Sequence, residues 1–137
     1  MNYTANRSIP KSFCIGHPHM DDQHQALIET IRQIEQDLVD GAPPVSHCKS
    51  LVDGFIEHTQ DEECLMRESN YPHTVVHIRH HQKLLEKMNT VLLNCQDGAN
   101  CDACTVQDLT RIVIDDMIKA DSDFKNYLAQ KGLVYWI

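Results

Sequence analysis

The 137-residue sequence has little of what breaks a chain into short elements: five glycines and five prolines. That scarcity argues against a turn-rich β-sandwich and against a low-complexity chain. No stretch approaches the ~20 consecutive apolar residues that a spanning helix needs. Residues 1–16 carry neither an apolar run nor a small-residue cleavage pattern, so no signal peptide is expected. A soluble, cytoplasmic protein is the expectation. Basic residues are also short, with 12 Lys+Arg against 20 Asp+Glu and a formal charge of −8. Such a balance makes nucleic acid and anionic membrane surfaces poor partners.

Hydrophobic residues make up 42%, enough for one core, and the length suits a single domain over residues 1–137. The surplus is in histidine, with nine in so short a chain. Three clusters of Gly, Pro and Asn punctuate the sequence: Gly41-Ala42-Pro43-Pro44, Asn70-Tyr71-Pro72, and the run from Gln96 to Thr105. Between them apolar residues recur at three and four, as in Leu27, Ile28, Ile31, Ile34 and Leu38. This periodicity predicts helices at about 21–40, 45–68, 73–95 and 106–129. Asp21 or Asp22 is the expected cap of the first, and Thr105 with Asp108 a start signal for the last. Four such helices with short connections predict an all-α, antiparallel up-and-down four-helix bundle. Residues 1–20 would form an arm, and 130–137 a tail with an apolar end packed on the bundle or on a second copy.

Polar residues fall on the apolar stripes. His58 and Glu62 are four apart in the second segment, and His77 and His81 in the third. Residues at i and i+4 are neighbours on a helix, so each pair can converge on one point. Asp116 and Asp121 lie on or near the core face of the fourth segment, and His24 one turn before Leu27 in the first. A lone buried histidine is usually a hydrogen-bonded core residue. Three buried carboxylates with no Lys or Arg on the stripes are costly, and a metal would satisfy both residue types at once. At ~1.5 Å per residue, all seven fall roughly 5–20 Å from the same end of the bundle. Seven donors exceed one tetrahedral zinc and suit two ions bridged by carboxylates, iron or manganese by donor type.

Four stretches carry a family resemblance. They are Met20-Asp21-Asp22-Gln23-His24, the run His58-Thr59-Gln60-Asp61-Glu62-Glu63-Cys64-Leu65-Met66, the turn Asn70-Tyr71-Pro72, and His77-Ile78-Arg79-His80-His81. Together they resemble the hemerythrins, specifically the bacterial ones, from about Gly16 to Tyr127. The resemblance implies a non-haem diiron centre that binds O2 reversibly. It implies His24 and His58 on one iron, His77 and His81 on the other, and Glu62 bridging. It further implies Asp121 as the second bridge, with Phe124 three residues later. Where the family has its fifth histidine, five before that aspartate, this chain has Asp116. The family's tryptophan near that position is absent too, with Ile112-Val113 there.

Asp116 is read as a substituted ligand. On an ideal α-helix it lies ~140° from Asp121, so the two would reach the site from different sides. Met117 is better aligned but is a poor partner for ferric iron. The alternative places Asp116 outside the ligand shell, with water in the position. A carboxylate in place of an imidazole adds negative charge, favours the ferric state and predicts faster autoxidation. Three function classes follow: a protein that carries, stores or senses O2 or NO, a diiron redox enzyme of oxidase or peroxidase type, and an iron-handling bundle. O2 binding or sensing is preferred, and a sensor would signal through a separate partner protein.

The remaining histidines, His17, His19, His73 and His80, are expected at the surface, His80 facing away from the stripe. Cys64 is expected to pack beside Glu62, and Glu57 and Glu63 to face solvent. Cys48, Cys95, Cys101 and Cys104, with His47 nearby, are placed at the far end of the bundle, where free thiols are favoured over a zinc clip or thiol switch.

Overall fold

Each apolar periodic segment folds as a helix because its stripe can be buried only against the other three. The structure, a computed structural model, describes residues 13–96 and 103–133. The helices are α1 (Pro18–Asp40), α2 (Val45–Glu68) and α3 (Thr74–Gln96), followed by α4 (Ala103–Asp115), a π-helical turn at Asp116–Ala120, and α5 (Asp121–Gln130). The last three run on as one fourth rod. Helix α1 packs on α2, α2 on α3, α3 on α4, and α4 returns to α1. The result is the four-helix bundle that the periodicity predicts. Among the described residues no helix is long and apolar enough to cross a membrane.

The helix ends refine the sequence expectations. Helix α1 starts at Pro18, where a fixed φ suits the first helical position. His17, rather than Asp21 or Asp22, is its cap, and Nδ1 of His17 accepts from the Met20 amide. Asp21 turns back instead, and its carboxylate accepts from the amides of Ile15 at 2.7 Å and Gly16 at 3.2 Å. That clamp fixes the segment before α1 over the bundle end. Helix α1 stops at Gly41, whose φ of 70° is left-handed. The fourth rod begins at Ala103, so Thr105 lies inside its first turn rather than capping it. Tyr127 ties the rod to the α2–α3 turn, its hydroxyl lying 2.6 Å from the Ser69 carbonyl and 3.0 Å from that of Asn70. The apolar end of the tail, 134–137, lies outside the described residues.

The buried apolar side chains form two clusters. The larger holds Leu27, Ile31, Phe55, Leu84, Met88, Val113 and Met117 among others. The smaller holds Ile15, Met20, Met66, Tyr71, Phe124 and Leu128. In each rod a short gap separates a residue of one cluster from a residue of the other. The gap runs from Met20 to Leu27, from Phe55 to Met66, from Tyr71 to Leu84, and from Met117 to Phe124.

Replacing Asp21 by Ala would leave two amides without their carboxylate acceptor. The expected loss is about 3 kcal/mol, at 1–3 kcal/mol per unsatisfied buried donor. Urea unfolding of the metal-free protein measures it. Asp21→Asn, which keeps one acceptor, should lose less.

Candidate metal centre

The four gaps between the apolar clusters are filled by polar side chains. His24 fills the first, His58 and Glu62 the second, His77 and His81 the third, and Asp121 the fourth. All six are buried. Apolar layers lie above and below this polar layer, so the charges of its buried groups are met largely from within.

The two carboxylates divide their oxygens between two pairs of imidazoles. Glu62 Oε2 lies 3.3 Å from His58 Nε2, while Oε1 lies 2.9 Å from His77 Nε2 and 3.3 Å from His81 Nε2. Asp121 Oδ2 lies 3.3 Å from His24 Nε2, while Oδ1 lies 3.3 Å from His77 Nε2. Two donor groups result, His24–His58–Glu62–Asp121 and Glu62–His77–His81–Asp121. In each, one donor atom per residue lies within 4.8 Å of the others. Two groups that share two carboxylates are the donor set for a pair of bridged cations.

Hydrogen bonding does not account for these atoms. Among the described residues, nine buried side-chain nitrogens and oxygens make no hydrogen bond of acceptable geometry. They are both oxygens of Glu62, Asp116 and Asp121, and Nε2 of His77, His80 and His81. So many orphaned polar atoms in one layer would be a large penalty in a finished core. Converging lone pairs fit a cation instead.

The outward ring nitrogens are held. Nδ1 of His24 donates to the Phe13 carbonyl, Nδ1 of His58 to Gln23 Oε1 at 3.0 Å, and Nδ1 of His81 to Glu63 Oε2 at 3.0 Å. Gln23 is oriented in turn by donating from Nε2 to Asp61 at 2.7 Å. An acceptor on Nδ1 fixes the tautomer that leaves the inward Nε2 free to bind a cation. Glu63 therefore faces His81, not solvent as the sequence suggested. Spacing within one helix carries no signal for the partners of His24 and His58, Phe13 and Gln23, because they come from other segments.

Asp116 lies beside the α3 side of the cluster, outside the two donor groups. Its Oδ1 lies 3.6 Å from His81 Nε2 and 3.3 Å from His80 Nε2. The π turn explains how. The Asp121 amide bonds the Asp116 carbonyl, five residues back. An i→i+5 winding of roughly 4.4 residues per turn brings residues five apart to within ~50° of one face. The sequence argument assumed α-helical winding and put them on different sides, and the wider turn corrects it. Met117 packs in the larger apolar cluster and takes no part. His80 is a second correction, because it does not face away: its ring turns inward to Asp116. An open cleft of about 890 Å³ reaches His77, His80 and Asp116 from solvent, with Val76, Leu84 and Ile112 among its lining.

The family model of the hemerythrin HHE cation-binding domain matches residues 16–125. The chain belongs to the hemerythrin family. The matched span contains both donor groups, so this hemerythrin domain has a buried His/Glu/Asp cluster suited to a metal. No curated protein and no solved structure matches the chain significantly.

Other residues of this hemerythrin-family chain lie apart from the cluster. His19 pairs with Asp61 at 2.9 Å, and His73 stacks edge-on against Tyr71. Glu57 is exposed, and Cys64 is exposed rather than packed. Cys48 and Cys95 are buried and Cys104 exposed, while Cys101 lies outside the described residues.

Charge in the layer is settled by protons when no cation is present. Burial opposes a charge on His58 and His77, but the adjacent Asp121 and Glu62 carboxylates outweigh it and raise both to about 10. Burial likewise opposes charge on Glu62, yet His58, His77 and His81 hold it well below the usual carboxylate range. Asp116 is pushed up by burial and by Asp121, with His80 only partly opposing.

The sign of the pH dependence follows. A histidine raised from 6.5 to about 10 stabilises the fold fully below 6.5 and loses that contribution as the pH passes 10. Glu62, lowered from 4.5, contributes above 4.5 and loses its contribution as the pH falls. The metal-free protein should therefore lose urea resistance on both the acid side and the far alkaline side. With both histidines raised to about 10, cation binding at pH 7 should release at least about two protons per chain, and Asp116, pushed up by burial, can add to that number. Calorimetry in buffers of different ionisation enthalpy measures that number, and zero release would contradict the charge assignment.

Proposed function

We propose that this chain holds two iron ions in the polar layer and binds O2, or another small diatomic such as NO, at the pair. The observation that carries this reading is the division of Glu62 and Asp121, one oxygen of each toward each pair of imidazoles. His24 and His58 would hold one ion, and His77 and His81 the other. Glu62 and Asp121 would bridge, and Asp116 would join the His77–His81 ion. Imidazole plus carboxylate in this number suits iron better than a tetrahedral zinc. Neutral imidazoles with three carboxylates carry −3, which two divalent cations overcompensate by one.

When bound, an iron pair supplies electrons to a diatomic ligand and takes them back on release. The protein's part is positional. The Nδ1 partners aim three of the four imidazoles inward, and the carboxylates would keep two cations close. The apolar clusters limit water around the layer. This family reading favours binding or sensing over turnover.

A second reading, a diiron redox enzyme, has its own support. The cleft of about 890 Å³ is much larger than a diatomic ligand needs, and it reaches His77, His80 and Asp116. Its size falls within the range of small-molecule pockets.

Metal analysis with visible spectra before and after air tests the main reading. The expected result is about two irons per chain, by the donor count of a bridged pair, with an O2-dependent charge-transfer band. A fully folded protein that takes up no iron would sink it. Asp116→His, which removes a negative charge, should slow the oxidative loss of that band severalfold. Sustained consumption of peroxide with an added reductant would favour the enzyme reading, and a single stoichiometric reaction would exclude it.

A further inference from the structure

His80 is the unexpected member of the cluster. Eight of the nine orphaned buried atoms belong to residues whose position on an apolar stripe already pointed inward. The ninth is His80 Nε2. The side chain is 41% exposed, so the ring had water available on one side. It nevertheless buries Nε2 without a hydrogen bond of acceptable geometry, which costs free energy unless another partner takes the lone pair.

The surroundings of that nitrogen are those of a ligand. Asp116 Oδ1 lies 3.3 Å from it, a spacing matched by His58 to Glu62, His24 to Asp121 and His81 to Glu62. The same Asp116 oxygen is 3.6 Å from His81 Nε2, so it lies beside imidazoles of two consecutive α3 residues. The His80 ring centroid is 6.0 Å from that of His77 and 6.3 Å from that of His81, while His77 and His81 are 4.4 Å apart.

We propose that His80 is a metal ligand through Nε2, on the ion held by His77 and His81. This rests on the two-ion reading above. It would add His80, with Asp116, to the four donors of that half that already converge within 4.8 Å, Glu62, His77, His81 and Asp121. His80 also forms part of the cleft lining, which makes it the donor nearest solvent.

The test uses the full chain loaded with Co(II) as an air-stable probe, titrated against a competing chelator. His80→Ala and His80→Gln are compared with the parent, and circular dichroism checks that each metal-free variant is folded. Glutamine keeps a hydrogen-bond donor toward Asp116 but offers no imidazole. The expected result is two ions per parent chain, with one of the two bound at least about tenfold more weakly in both variants. The visible bands of that ion should change in both variants alike. Parent-like affinity and bands in His80→Gln would overturn the proposal, because His80 would then only hydrogen-bond Asp116. Parent-like behaviour of His80→Ala would overturn it as well. A parent chain that binds no Co(II) would instead sink the two-ion reading on which it rests.

Discussion

Glu62 and Asp121 approach the same imidazole, His77, at 2.9 and 3.3 Å, and both carboxylates are fully buried. Two carboxylates cannot be ionised so close together in a low-dielectric interior unless positive charge lies between them. The rest of the bundle is arranged around this requirement. No Lys or Arg contacts the two carboxylates among the described residues, so the positive charge must come from histidinium or from cations. The metal-free fold uses histidinium, which is why His58 and His77 hold their protons to about 10. Cation binding therefore exchanges protons for metal in a cluster that is already assembled. Little side-chain reordering is then needed on binding, which favours affinity by lowering its entropic cost.

The parts of this arrangement legible in the sequence are those that one helical period decides. His58 with Glu62, and His77 with His81, share a face because they are four apart, and their faces are apolar. Spacing puts Asp121 on or near the core face of its segment, and its place as a bridge comes with the family resemblance. What was not legible depends on departures from that period or on neighbours in other helices. The Asp116–Asp121 relation was misjudged because ideal α-winding was assumed across a π turn. His80 lies off the apolar stripe of its helix, so spacing does not show that its Nε2 reaches Asp116 at 3.3 Å. Glu63 was sent to solvent because nothing in its own helix shows that His81 stands opposite. The bundle itself was legible because four amphipathic stripes leave few other ways to bury themselves.

The outward partners of the histidines differ in a way that bears on chemistry. His81 donates to a carboxylate, His58 to an amide oxygen and His24 to a backbone carbonyl. A carboxylate on Nδ1 raises the basicity of the opposite nitrogen more than an amide does. On the two-iron reading, the His77–His81 ion then receives the stronger nitrogen donor and the extra carboxylate Asp116. Both effects stabilise the higher oxidation state on that side. The two halves are therefore electronically unequal even though they share their bridges.

The π turn makes that inequality structurally affordable. A wide turn forfeits regular i→i+4 bonding over Asp116–Ala120, and such turns persist mainly where function requires them. Here it sets Asp116 and Asp121 on nearly one face, while Met117 between them still reaches the apolar cluster. With α-winding, one aspartate would leave the layer or the methionine would leave the core. The carboxylate so retained is pushed toward its neutral form by burial and by Asp121. Positive charge added beside it favours its ionised form. On the two-iron reading a single divalent ion leaves the three carboxylates at −1, whereas two ions bring the sum to +1. The residue that departs from the family pattern thus gives the His77–His81 half a reason to be filled, and ties its occupancy to the charge of the other half.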